Sequence, residues 1–162
     1  MKNISNQKII KFSWDEIYNI CKEFSKNNNK EFDCIVAITR GGLVPSVIIS
    51  HLLDIRLVYP LQVYETESDV VNSFKTKPVF GENINFECLK NKKVLLVDDI
   101  YGSGATLDFV INDLSKHFEE IYSFVCVQNL DNYNPKYNLP NYVGEKVNGW
   151  VVFPWEEEKY ER

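Results

Sequence analysis

The chain has 162 residues, of which 44% are hydrophobic and 25% are charged, a composition that fits one globular domain and excludes a disordered chain. Its formal net charge of −5 argues against a nucleic-acid partner, since such a surface needs a basic stripe. The sequence contains neither an apolar run of the roughly 20 residues that cross a membrane nor a signal-peptide core, so we expect a cytoplasmic protein without a membrane partner.

The first predicted helix begins near Ser13. Ser13 suits the N-cap position, and Glu16, three residues later, suits the reciprocal position of a capping box. Apolar side chains then recur at the spacing of one buried helix face, at Ile17, Ile20, Cys21 and Phe24.

A continuous apolar run from Cys34 to Ile38 follows a loop rich in Asn and Lys. Such a run is typical of a strand that is covered on both faces, as in a parallel sheet. The segment TRGG, residues 39–42, ends this strand. We predict a helix over 45–53 and a second strand over 57–64.

Residues 66–90 differ from the rest of the chain. They are polar, contain Pro78 and Gly81, and show little hydrophobic periodicity. A connection of this length inside a compact domain is usually functional or mobile. We therefore expect a functional or a mobile loop here.

The second half of the chain continues the alternation of strands and helices. We predict a strand over 94–97, an amphipathic helix over 107–118 and a strand over 121–127. This order predicts a single α/β domain with a mostly parallel central sheet flanked by helices. Three prolines after Asn129 indicate an irregular lid and tail over 129–162 instead of a second domain.

The stretch VLLVDDIYGSGATL, residues 94–107, is the most informative part of the sequence. Gly102 and Gly104 let the main chain curl so that its N–H groups point inward. Ser103 and Thr106 add hydroxyl donors, and the following helix adds the positive end of its dipole. The turn is therefore a predicted phosphate site. It lacks the lysine of a Walker A loop and the third glycine of a Rossmann fingerprint.

Two adjacent carboxylates, Asp98 and Asp99, precede this turn. A glycine-rich turn whose aspartates only cap a helix is the simpler alternative, but the full order of strand, acidic pair, turn and helix favours a ligand site. Carboxylates accept hydrogen bonds from a sugar diol, bind hydrated Mg²⁺ and stabilise positive charge that develops on a sugar carbon. A phosphate in the turn, a ribose at the acids and a magnesium-bound diphosphate beyond them describe phosphoribosyl pyrophosphate (PRPP).

Three segments resemble the type I phosphoribosyltransferase family. Residues 94–106 match that family's signature of apolar strand, acidic pair and small-residue phosphate turn. AITRGGLVP (37–45) resembles the pyrophosphate loop of the family's xanthine-guanine and hypoxanthine branch. WVVFPWE (150–156) resembles the C-terminal purine-binding segment of the same branch. The resemblance thus covers about residues 12–157.

The resemblance implies the type I phosphoribosyltransferase fold with a small hood, here residues 66–90 with Lys75 and Lys77. It implies a homo-oligomeric enzyme that transfers the 5-phosphoribosyl group from PRPP to a nitrogenous base and releases pyrophosphate, with Mg²⁺ as cofactor. The acceptor implied by the branch is a 6-oxopurine (hypoxanthine, guanine or xanthine), as in purine salvage. Two alternatives stay open: a non-purine acceptor, and a non-catalytic protein that senses PRPP or a nucleotide.

The resemblance also assigns residues to the site. Asp98 and Asp99 are the catalytic pair, which holds the ribose hydroxyls and Mg²⁺. The base is bound by Gln128, Trp150 and Val151; Trp150 stacks on it and the Val151 main chain reads its edge. The residues assigned to PRPP lie in the two turns and are Arg40, Gly41, Gly42, Ile100, Tyr101, Gly102, Ser103, Gly104, Ala105 and Thr106.

Two positions depart from the pattern of this branch. Gly102 replaces the acidic residue that acts as general base near N7, and Gln128 replaces the lysine that reads the 6-oxo group. Glutamine donates a hydrogen bond to a carbonyl but lacks the charge that favours an oxopurine anion. The glycine at 102 has two explanations, room for water beside the base or a main-chain conformation with positive φ. Both departures concern the base half and leave the phosphoribosyl half intact.

Overall fold

The computed structural model describes residues 8–65, 78–81 and 86–156, which contain eight strands and three α-helices. The helices are α1 (Trp14–Asn27), α2 (Leu43–Leu52) and α3 (Ala105–Leu114). The strands are β1 (Ile9–Lys11), β2 (Cys34–Thr39), β3 (Val58–Glu65), β4 (Pro78–Phe80), β5 (Lys93–Tyr101), β6 (Glu120–Asn129), β7 (Tyr142–Val147) and β8 (Trp150–Val152). Short 3₁₀ helices occur at Glu87–Leu89 and Leu130–Asn132.

Six strands form the central sheet in the order β4-β3-β2-β5-β6-β7. Every neighbouring pair is parallel except β3 and β4, which run antiparallel. β1 and β8 form a separate parallel pair. The predicted mostly parallel sheet with flanking helices is therefore confirmed. Its central strands β2 and β5 are the continuous apolar runs, as expected for strands that are covered on both faces.

The two faces of the sheet carry separate hydrophobic clusters. Leu95 and Val97 of β5 pack with residues of α1 and α2 on one face. Val94 and Leu96 pack with residues of α3 on the other face. Because alternate side chains of a strand point to opposite faces, β5 contributes to both clusters and lies between them.

The predicted capping box at the start of α1 is present. The Ser13 main-chain N–H donates to Glu16 Oε2 over 2.7 Å, and the Glu16 N–H donates to Ser13 Oγ over 3.3 Å. The Ser13 hydroxyl also donates to Glu16 Oε2 over 2.7 Å. The two hydrogen bonds that the Glu16 carboxylate accepts lower its pKa, and the one from the Ser13 main chain is the larger cause. The predicted buried face is also confirmed, since all four of its residues are buried.

The largest difference from the sequence prediction lies after residue 129. The segment predicted to be irregular contains β7, which joins the central sheet beside β6, and β8, which pairs with β1. The prediction of an irregular lid is therefore wrong for these strands. β7 is an edge strand that mixes polar and apolar residues, so its sequence carries no clear strand periodicity.

The predicted loop over 66–90 also contains regular structure. β4 pairs with the end of β3, and a 3₁₀ helix covers Glu87–Leu89. Residues 66–77 and 82–85, which include Lys75 and Lys77, lie outside the described part of the chain. α2 begins at Leu43, two residues before the predicted start. No helix in the described ranges is long and apolar enough to cross a bilayer.

Candidate active site

The acidic pair lies at the carboxyl end of β5, between β2 and β6. This edge of a parallel sheet is where ligands bind in open α/β folds. Both carboxylates are half-buried, and Asp98 Oδ1 accepts a hydrogen bond of 2.9 Å from the Asp99 main-chain N–H. Asp98 lines the cavity of the glycine-rich turn, whereas the Asp99 carboxylate lies beside Gly41. The pair therefore connects the two predicted ligand turns.

Burial raises the pKa of both carboxyl groups. The pKa of Asp98 lies well above its ordinary value because the side chain is withdrawn from water and faces the charge of Asp99. Burial is also the main cause of the raised pKa of Asp99. The hydrogen bond with the Asp98 side chain lowers this pKa, and the charge of the Glu156 carboxylate raises it. Negative charge is thus concentrated where a cation or sugar hydroxyls would stabilise it.

The acidic pair fits Mg²⁺ better than it fits a metal held entirely by protein ligands. No group of three or more His, Cys, Asp or Glu side chains in the described residues is arranged to hold a metal ion. Mg²⁺ usually keeps several waters and binds through one or two carboxylates together with substrate phosphates. Asp98 and Asp99 supply that number of carboxylates.

The glycine-rich turn between β5 and α3 has the geometry of an anion-binding cradle. Gly104 is the N-cap of α3, has φ of 95°, and gives the helix no side-chain cap. Ser103 Oγ accepts a hydrogen bond of 3.3 Å from the Ala105 N–H. A cavity of about 270 Å³ opens at this turn and is also lined by Asp98 and Thr106. Main-chain N–H groups and hydroxyls at a helix N-terminus are suited to a phosphate.

The residues before and after the turn hold it in place. Tyr101 is buried, and its hydroxyl donates a hydrogen bond of 3.0 Å to the Asn138 carbonyl. A Cβ on Gly104 would meet the Tyr101 hydroxyl and would lie 2.9 Å from Tyr137 Cβ, so only glycine fits there. Ile100 is half-buried and packs against the hydrophobic cluster on the α1 side of the sheet. Ile100 and Tyr101 both line the cavity.

The second predicted ligand turn joins β2 to α2 and packs directly on the acidic pair. The peptide bond between Thr39 and Arg40 is cis, and the Arg40 side chain is exposed. A Cβ on Gly41 would fall within the Asp99 carboxylate. A Cβ on Gly42 would lie 2.5 Å from the Val97 carbonyl oxygen. Two glycines therefore permit a contact between the loops that larger residues would prevent.

Gly102 lacks the constraints found at the other turn glycines. Its φ is not positive, because the positive-φ glycines of the described residues are Gly104 and Gly149. A Cβ at Gly102 would find only Asn132 Cβ nearby, at 3.9 Å. The structure thus favours open space over a conformational need for glycine at this position.

Gln128, Trp150 and Val151, the predicted base-binding residues, come from the ends of β6 and from β8. Gln128 is 2% exposed, whereas Trp150 is 42% exposed. The Asn129 side-chain amide donates to the Gly149 carbonyl over 2.9 Å, which ties the end of β6 to the residue before Trp150.

The pairing of β8 with β1 sets the direction of the Val151 main chain. The Trp150 N–H donates to the Lys8 carbonyl over 2.8 Å, and the Phe12 N–H donates to the Val152 carbonyl over 3.0 Å. In a parallel ladder the intervening residue directs its N–H and C=O to the opposite side. The main-chain groups of Val151 therefore point to the edge of β8 that no described strand covers.

Trp155 is half-buried and packs against the hydrophobic cluster on the α1 side of the sheet. Its ring stacks on Phe153 with centroids 4.7 Å apart and contacts Trp14 at 5.9 Å.

Glu156 is a candidate that the sequence prediction missed. Its Oε2 accepts a hydrogen bond of 3.3 Å from the Phe153 N–H, and its charge acts on Asp99. Glu156 is the last residue of the C-terminal segment that resembles the family. That position was the only sign in the sequence that Glu156 belongs to the site. Asn129 was also missed, because nothing in the sequence links it to Gly149.

Comparison with known proteins gives consistent matches. The model of a family described as the phosphoribosyl transferase domain matches residues 13–162. The chain is 29% identical over 157 residues to the xanthine-guanine phosphoribosyltransferase of Desulfotalea psychrophila, covering 90% of this chain and 85% of that protein. It is 26% identical over 168 residues to the protein of the same name from Cereibacter sphaeroides, covering 96% and 91%. The crystal structure of a purine phosphoribosyltransferase from Pyrococcus horikoshii superposes with a TM-score of 0.74 at 28% identity, covering 91% and 94%.

Proposed function

The chain belongs to the phosphoribosyltransferase family, a family of transferases, and we propose that it transfers the 5-phosphoribosyl group of PRPP to a 6-oxopurine, releasing pyrophosphate. Hypoxanthine, guanine and xanthine are the proposed acceptors, and salvage of purine bases is the proposed role. The observation that carries the proposal is the packing of the Arg40–Gly42 loop against Asp99, beside the cradle that Asp98 lines. This arrangement joins an anion site, an acidic pair and a second anion site in the order of the parts of PRPP.

The acidic pair is proposed to act on the ribose. Asp98 and Asp99 accept hydrogen bonds from the ribose hydroxyls, and their negative charge stabilises the positive charge that develops at C1 as the bond to pyrophosphate breaks. Mg²⁺ held at these carboxylates offsets the negative charge of the diphosphate when it is bound. The half-buried position of the pair strengthens these interactions, because little water screens them.

The two turns are proposed to hold the phosphates of PRPP. The 5′-phosphate binds the main chain and hydroxyls of residues 102–106, and the pyrophosphate binds Arg40, Gly41 and Gly42. The N-terminus of α3 supports the former role, since its N-cap residue, Gly104, supplies no side-chain hydrogen bond to the first turn. The exposed guanidinium of Arg40 supports the latter, since it is accessible to an anion.

The base is proposed to lie between the ends of β6 and β8. Trp150 stacks on its face, the Val151 main chain reads its edge and Gln128 contacts its substituent. The exposed Trp150 ring and the outward direction of the Val151 main-chain groups support these roles. The names of the curated relatives, which are xanthine-guanine phosphoribosyltransferases, support a 6-oxopurine acceptor.

A base panel tests the reaction directly. The protein is incubated with PRPP and Mg²⁺ and with one base at a time, and nucleoside monophosphate and pyrophosphate are measured by mass spectrometry. Transfer to at least one 6-oxopurine is expected, and calorimetry is expected to show PRPP binding below millimolar concentration that strengthens with Mg²⁺.

Other outcomes distinguish the alternatives. PRPP binding without transfer to any base would identify a non-catalytic sensor, and transfer only to a non-purine base would identify a different acceptor. Absence of PRPP binding would contradict the whole proposal. Light scattering of the same sample tests the proposed homo-oligomer.

A further inference from the structure

The Gln128 side chain is buried, and its Oε1 atom has no hydrogen-bond partner. It is 2% exposed, and its Oε1 atom is one of two buried side-chain polar atoms in the described residues that lack a partner; the other is Ser46 Oγ. An unsatisfied buried acceptor destabilises a folded chain, so native structures rarely keep one without a reason. A ligand that donates a hydrogen bond would satisfy it.

The position of Gln128 is fixed on both sides by the proposed site. It pairs with Tyr101 in the sheet, and Tyr101 immediately precedes Gly102 of the phosphate turn. The next residue, Asn129, is hydrogen-bonded to Gly149, which immediately precedes Trp150. Gln128 therefore lies between the turn proposed for the sugar phosphate and the segment proposed for the base.

A primary amide recognises two kinds of substituent. Its nitrogen donates to a carbonyl oxygen, its oxygen accepts from an amino group, and rotation about its last torsion by 180° exchanges the two. A lysine in the same place only donates, so it selects an oxo group. The unpaired Oε1 atom of Gln128 is the acceptor that an amino group requires.

We infer that Gln128 determines the specificity of this site for the 6-substituent and extends the acceptors to 6-aminopurines such as adenine. The inference rests on the proposed phosphoribosyl transfer and refines its acceptor. Trp150 and Val151 bind the ring of a 6-oxopurine and of a 6-aminopurine in the same way. The Gln128 amide presents its nitrogen to an oxo group and its oxygen to an amino group.

The decisive measurement is kcat/KM for adenine and for hypoxanthine with saturating PRPP and Mg²⁺. The wild-type chain is expected to use adenine within about tenfold of hypoxanthine. Gln128→Lys is expected to lower the adenine-to-hypoxanthine ratio by about 10- to 100-fold, because a lysine leaves the 6-amino group without an acceptor. Gln128→Met removes both functions of the amide and is expected to lower kcat/KM for both bases. Lys146→Gln, on an exposed residue paired with Gln128 in β7, is the matched control and leaves the ratio unchanged.

The outcomes separate this inference from the proposed function. A wild-type preference for hypoxanthine over adenine of about 1,000-fold or more would overturn the inference and leave the proposed function intact. A ratio that is the same in wild type and Gln128→Lys would also overturn it. PRPP binding without transfer to any purine would instead contradict the proposed function. Should Gln128→Lys fail to fold by circular dichroism, the wild-type ratio and Gln128→Met still decide the matter.

Discussion

The half of the site proposed for PRPP and the half proposed for the base are built in different ways. The first uses two short runs of residues: the acidic pair leads directly into the turn, and two glycines of the loop between β2 and α2 pack against the pair. The second uses side chains from the ends of β6 and β8, joined by the Asn129 hydrogen bond and by the pairing of β8 with β1. The proposed donor half thus depends on close packing between two loops, whereas the proposed base half depends on contacts between segments that are distant in sequence.

Removing the acidic pair is expected to have the largest effect, and it acts on the donor half. The double substitution Asp98→Asn with Asp99→Asn should lower phosphoribosyl transfer by about 100- to 1,000-fold, as loss of one preorganised electrostatic group does. It should also abolish the effect of Mg²⁺ on PRPP binding in calorimetry. Asp113→Asn on the outer part of α3 is the matched control, and an equal loss in that variant would contradict the assignment.

Two glycines of the same turn are expected to respond differently to alanine. Gly104→Ala introduces a Cβ at φ of 95° against Tyr101, so it should cost about 1–3 kcal/mol of unfolding free energy and weaken PRPP binding about 10- to 100-fold. Gly102→Ala meets open space at ordinary φ and should change stability by less than about 0.5 kcal/mol. Urea unfolding of both variants measures the difference; similar losses would mean that the turn is not shaped as described.

In the base half, two tryptophans of one segment are expected to have separate roles. Trp150→Ala should raise KM for the base by about 10- to 100-fold, the cost of losing one stacked ring, while PRPP affinity stays unchanged. Trp155→Ala removes a half-buried ring stacked on Phe153, so it should lower stability by about 1–3 kcal/mol, less than the loss of a fully buried ring. Steady-state kinetics measure the effect of Trp150→Ala, and thermal unfolding measures the effect of Trp155→Ala. A lost PRPP affinity in Trp150→Ala would show that the halves are not separable.

A smaller gain of activity is expected from Gly102→Asp. General acid–base groups contribute about 100- to 10,000-fold, and an acid restored in an unoptimised position should raise turnover with hypoxanthine or guanine by about tenfold. Xanthine should gain less, because it is the most acidic of the three and loses its proton most readily. Since a Cβ fits at Gly102, PRPP affinity should be retained. Unchanged turnover on every purine with unchanged affinity would mean that this position does not face the acceptor.

The smallest expected effect concerns the stability of the ligand-free protein. Because the pKa of Asp98 is raised in the folded state, its stability contribution falls as pH rises through the folded pKa. Asp98→Asn removes the destabilisation that the charged carboxylate causes, and its side-chain oxygen still accepts a hydrogen bond from the Asp99 N–H. Its melting temperature at pH 7 should exceed that of wild type by about 2–4 °C, the change that about 1 kcal/mol produces in a domain of this size. The difference should shrink toward acidic pH, and a difference independent of pH would refute the stated cause.

The parts of the fold that the sequence predicted well are those with local signals. The capping box at Ser13, the buried face of α1 and the apolar runs of β2 and β5 each follow from residues close together in the chain. The turn before α3 was recognised for the same reason. Even there, the sequence left the role of Gly102 undecided, because it did not reveal which turn glycine has positive φ.

The parts that the sequence did not predict depend on distant partners. β7 has mixed polarity and is a strand because β6 offers it a free edge. The influence of Glu156 on Asp99 requires the C-terminal segment to return to the end of β5. The lack of a hydrogen-bond partner for Gln128 Oε1 likewise depends on the residues around it, since the sequence shows only a glutamine after an apolar strand.

The pairing of β1 with β8 also bears on the order in which the molecule is completed during synthesis. This ladder joins Ile9 to Trp150, near opposite ends of the chain, whereas the acidic pair and its turn lie within one strand–turn–helix unit. Closing a long chain segment is entropically costly, so contacts between distant residues form late in folding. The β8 segment can therefore pair with β1 only after the residues between these two strands have been synthesised. The nascent protein would form the turn proposed for the sugar phosphate first and the complete site proposed for the base last.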